Sequence, residues 1–90
     1  MPRPAVCTGG SGASDTDAVV VDVATSVEGI LAEYAYLAHL YGRPNLDWSL
    51  DKQVTNDEAE RIYDVLTVHT LNNGEKHTLW FDISAFYGKY

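Results

Sequence analysis

Three histidines, one cysteine and thirteen carboxylates are the groups of this sequence suited to binding a metal, attacking a carbonyl or moving a proton. The histidines are His39, His69 and His77. No two stand four apart, the spacing that would put both on one helix face toward an ion. Cys7 lies in a stretch rich in Gly, Pro and Ser, where nothing would hold a base beside the thiol. Ser49 and Ser84 lack the nucleophile-elbow pattern of Gly-x-Ser-x-Gly. Gly9–Gly12 reads GGSG, but no Lys follows and no strand precedes it, so it reads as a linker and not a phosphate loop. No catalytic residue, metal or cofactor is expected.

The carboxylates remain. Asp47, Asp51, Asp57 and Glu58 fall in polar segments and form an expected acidic surface. General acid–base work needs a desolvated acid, which such segments do not supply. Asp64 and Asp82 differ, because each interrupts an apolar strand pattern. Each is expected at a strand end, bound to backbone or to Arg61.

These residues depend on a small set of elements. The pattern Thr25-x-x-Glu28 is a capping box. Val27, Ile30, Leu31, Tyr34, Leu37, Ala38 and Tyr41 follow at helical spacing, Gly42 suits the end, and Pro44 bars continuation. The spacing predicts a helix over 26–41 with that stripe on the core. A second set, Ala32, Tyr36 and Leu40, lies apart from that stripe, either as part of a wide core-facing surface or as a contact surface for another chain.

Leu46–Val54 alternates, with Leu46, Trp48, Leu50 and Val54 on one face and Asp47, Ser49, Asp51 and Gln53 on the other. Residues 55–60 read as a polar loop. Asn73-Gly74 between two β-rich runs is a hairpin signal. A two-residue turn there sets Leu66 opposite Phe81, Val68 opposite Leu79 and Thr70 opposite His77. His69 then falls on the other face, with Tyr63, Val65, Thr67, Thr78 and Trp80, so His69 and His77 cannot share an ion.

The expected fold is α+β: one capped helix packed on a three-stranded antiparallel meander, in two layers. The β-branched run Ala18–Val23 leaves room for an extra N-terminal strand. Residues 1–17 read as a flexible tail by composition, and residues 18–90 as a single domain.

The chain has 90 residues and a net charge of −7, with only six bases. That balance disfavours binding nucleic acid or an anionic membrane. No apolar run approaches a membrane span, and no apolar run follows Arg3 as in a secretory signal. A cytoplasmic protein is expected.

These features point to a non-catalytic protein–protein interaction module or a self-associating domain. Its expected anchors are Tyr36 and Leu40 from the helix and Tyr63, His69 and Trp80 from an open sheet face. One alternative is an acidic nucleic-acid mimic that inhibits a nucleic-acid-binding protein, since eleven of the thirteen acids fall between residues 15 and 64. Another is a small-molecule binder with a helix–sheet pocket.

Overall fold

Thr25 begins the helix as its spacing predicts. Its hydroxyl oxygen accepts from the Glu28 backbone N–H at 3.3 Å and lies 3.1 Å from the Glu28 carboxylate. Such a cap contributes about 1 kcal/mol. Helix α1 spans Ser26–Tyr41 and ends where the Gly42 N–H bonds the Ala38 carbonyl at 3.0 Å. The computed structural model describes residues 6–58 and 60–88, with only the backbone of Glu58. The first five residues, the Glu58 side chain, residue 59 and the last two residues lie outside the described residues.

The strands are β1 (Cys7–Gly9), β2 (Val19–Val21), β3 (Trp48–Glu58), β4 (Arg61–Thr70) and β5 (Lys76–Asp82), in the sheet order β1-β2-β5-β4-β3. The antiparallel meander β3–β4–β5 is as expected. The Val19–Val21 run is the extra strand, parallel to β5 with Val19 opposite Phe81. Helix and sheet enclose a core whose fully buried members include Trp48, Phe81, Leu37, Leu66, Val19, Val21 and Val68.

The expected tail is a first departure. Cys7–Gly9 pairs antiparallel with β2, Cys7 is buried, and Asp15–Asp17 forms a 3-10 turn. The Gly12 carbonyl also accepts from the Trp80 N–H at 2.8 Å. Composition undervalued this segment because its hydrogen bonds satisfy a sheet edge that would otherwise stay open.

The hairpin register is a second. Leu66 faces Leu79, Val68 faces His77 and Thr67 faces Thr78. The loop is four residues long, because Thr70 closes it by accepting from Gly74 N–H and donating its own N–H to Glu75. Gly74 takes φ of 69°, the left-handed value that glycine reaches without a Cβ penalty. Moving from a two- to a four-residue loop shifts the pairing by two positions. Side chains alternate with period two, so every face assignment survives.

In β3 the alternation breaks. A bulge between Leu50 and Lys52 inserts one residue, so Trp48 and Leu50 face the helix, while past the bulge Gln53 does. Val54, expected in the core, is exposed on the opposite face. Pairing continues to Glu58 opposite Arg61, where the sequence suggests a loop from residue 55.

The helix also lies rotated from expectation. Its buried residues are Gly29, Ala32, Glu33, Tyr36 and Leu37. A Cβ at Gly29 would collide with the Phe86 ring, so only glycine lets that ring lie against the helix backbone. Tyr36 meets Phe81 edge to face at 5.7 Å. At the far end the Trp48 indole N–H donates to the Gly42 carbonyl at 2.9 Å, and Tyr41 stacks on His77 at 4.9 Å.

Candidate functional site

The rotation of α1 puts a row of large apolar side chains on the surface. Val27 is 63% exposed, Ile30 52%, Leu31 66% and Tyr34 39%. At 100° per residue these four lie within one stripe, opposite the buried Gly29–Ala32–Tyr36 face. Taking about 150–220 Å² for a fully exposed large side chain, the stripe offers roughly 400 Å² of apolar surface. Among the helix residues its only charged neighbours in sequence are Glu28, on the exposed side, and Glu33, which is buried.

Of the expected anchors, Tyr36 is a core residue and offers no surface. Leu40, on the same side of the helix but in its last turn, stays exposed. Tyr63 is buried and meets the partly buried Trp80 edge to face at 5.6 Å. The correction for Tyr36 follows from Gly29 and Ala32. Their small size draws that side of the helix down to the sheet and carries Tyr36 with it.

His69 is partly exposed on the open sheet face, where its Nδ1 lies 2.6 Å from Asp51 Oδ1. Lys76 approaches the other Asp51 oxygen at 3.7 Å. Ser49 stands opposite His69 across β3 and β4, which brings a Ser, a His and an Asp to one place. No hydrogen bond joins the Ser49 hydroxyl to the imidazole, and among the described residues no concave pocket forms there or between helix and sheet. The triad therefore lacks the nucleophile–base contact and the enclosed site that acyl transfer needs. No cluster of three or more potential metal ligands forms among the described residues.

Of the acidic positions, the Glu58 side chain lies outside the described residues, and the other three meet different partners. Asp47 accepts from the Arg43 backbone N–H at 2.7 Å and from its guanidinium at 3.3 Å. These bonds, the backbone one first, hold its carboxyl below the ordinary range. Asp51 is engaged by His69 and Lys76, and Asp57 is exposed opposite Ile62. Asp82 behaves as expected, accepting from Arg61 at 3.1 Å and from the Ser84 N–H at 3.0 Å.

Asp64 departs from expectation. It sits inside β4 on the helix-facing side, buried, and both its oxygens accept from Gln53 Nε2, at 2.9 and 3.1 Å. Its other neighbour is Glu33 of α1, which shares a hydrogen bond with it. Glu33 is 2% exposed, and its Oε2 has no hydrogen-bond partner. Burial first, then Asp64, pushes the Glu33 carboxyl up to about 10. The sequence pattern does not place Glu33 among the candidate site residues. The signal was there: no base stands three or four residues away from this helical acid.

Among the described residues no helix is long and apolar enough to cross a membrane. Comparison with protein-family models, with curated proteins and with solved structures finds no significant match.

Proposed function

We propose that this protein is a non-catalytic binding module that docks an amphipathic, basic-flanked helix of another protein on the outer face of α1. The exposure of Val27, Ile30, Leu31 and Tyr34 in one stripe carries the reading. Their spacing of three and four residues is that of a helix ridge, which a second helix can fill. Contiguous apolar patches of this size on small proteins are often functional.

Area and charge favour this occupant over a second copy. Roughly 400 Å² suits one docked segment, whereas a stable pair of globular partners commonly buries about 800 Å² on each. Two copies would also bring together net charges of −7 each. A partner with Lys or Arg beside its apolar ridge is attracted by the same charge.

The test uses a designed helical peptide with a Leu ridge flanked by Lys, and a twin flanked by Glu, read by fluorescence anisotropy. The Lys peptide is expected to bind at least tenfold tighter than its twin, and less tightly as salt rises. Leu31→Asp, which keeps the far-ultraviolet spectrum, is expected to remove binding. Absent binding, equal binding of the two peptides, or indifference to Leu31→Asp would refute the proposal. A concentration-dependent dimer abolished by Leu31→Asp would assign the face to a second copy instead.

A further inference from the structure

We infer that Glu33 is a proton-binding site that latches α1 to the sheet beside Asp64, holding a proton whose loss loosens the helix. Glu33 projects from the buried face of α1 and Asp64 from the middle of β4. Both are buried, and Glu33 keeps one oxygen without a partner. Gln53 directs its amide nitrogen to the two oxygens of Asp64. Two buried carboxyls in contact cannot both ionise without a large cost, and one proton between them turns repulsion into a hydrogen bond.

The surrounding groups leave that proton without a substitute. From β4 comes Asp64, and from β3 the uncharged Gln53. The nearest titratable group of β1 in the core, the Cys7 thiol, donates to the Ala32 carbonyl at 3.8 Å. Across the sheet Asp64 stands opposite Phe81 of β5 and Thr55 of β3, neither of them charged. On α1 itself Tyr36 turns its ring to Phe81. Among the described residues the Lys and Arg side chains are engaged or placed elsewhere: Arg43 on Asp47, Arg61 on Asp82, and Lys52 and Lys76 across the sheet in register with Thr67 and His69.

The sign follows from linkage. The folded protein retains a proton that the unfolded chain releases above the ordinary Glu range near 4.5. Stability from this site is therefore complete below that value and falls as pH rises toward about 10. Each pH unit lowers the folding constant about tenfold for one retained proton.

The experiment compares wild type with Glu33→Gln, whose amide offers a similar donor but does not titrate. Urea unfolding is followed from pH 5.5 to 8.5. The ratio of the wild-type folding constant to that of Glu33→Gln is expected to fall about tenfold per pH unit. Infrared spectra of folded wild type at pH 7.5 are expected to show the carbonyl stretch of a protonated carboxylic acid. That band should be missing from Glu33→Gln, and it decides the matter alone if the variant does not fold. Parallel pH curves, or no such band in wild type, would overturn the inference.

Discussion

Gly29→Ala distinguishes the two ways α1 could lie on the sheet. With the Val27–Ile30–Leu31–Tyr34 stripe inward, Gly29 would face water, and alanine would stabilise the helix by about 1 kcal/mol. In the observed rotation the new methyl meets Cε2, Cζ and Cδ2 of the Phe86 ring. Phe86 is buried, so its ring must shift or leave. Overpacking costs about 1–3 kcal/mol, and exposing a Phe ring a similar amount. Set against the helix gain, the net loss is about 0–2 kcal/mol, or up to roughly 15 °C in Tm for a domain of this size.

The control is Phe86→Leu, which removes the obstructing ring edge and keeps an apolar side chain. In that background Gly29→Ala should be neutral or stabilising. The double-mutant cycle should then return a coupling of roughly 1–3 kcal/mol. Urea unfolding of the four proteins, followed by circular dichroism, supplies the cycle. A stabilising Gly29→Ala with Phe86 intact, or a coupling near zero, would refute the rotation and with it the exposure of the apolar stripe.

Two further outcomes follow from the site geometry. Gln53→Leu deprives buried Asp64 of both its amide contacts and should lower stability by about 1–3 kcal/mol in urea unfolding; a change within about 0.5 kcal/mol would mean that the exposed Gln53 amide does not hold the Asp64 carboxyl. Arg43→Ala should move the Asp47 carboxyl only part of the way back to its ordinary titration range, because the backbone N–H of residue 43 still donates to it; a full return in an NMR titration would show that the guanidinium alone sets the shift.

Much of this fold is written locally. Thr25 and Glu28 mark the helix start, Gly42 and Pro44 its end, and the β-branched runs mark the strands. Asn73-Gly74 marks the hairpin without fixing its loop length, since Thr70 closes a larger loop than the shortest one. Parity protected the face assignments from that error, which is why His69 and His77 were placed correctly on opposite sides. The candidate site was legible in its residue types and not in its location. Val27, Ile30, Leu31 and Tyr34 read as an apolar stripe, and a count of apolar residues sends that larger stripe to the core.

The sequence by itself determined the helix and the central runs of β2, β3, β4 and β5, though not β1 or the far end of β3, because capping, turn chemistry and hydrophobic period act over three to eight residues. Three matters were decided only by the tertiary structure. One is which stripe of α1 is buried, set by Gly29 giving way to a ring 57 positions later in the chain. Another is which side of β3 Gln53 occupies, set by a bulge that exists only against β4. The third is the meeting of Glu33 and Asp64, two acids far apart in sequence that share one buried contact. Each depends on close packing between distant segments, where shape and exclusion of water outweigh the count of apolar residues on a face.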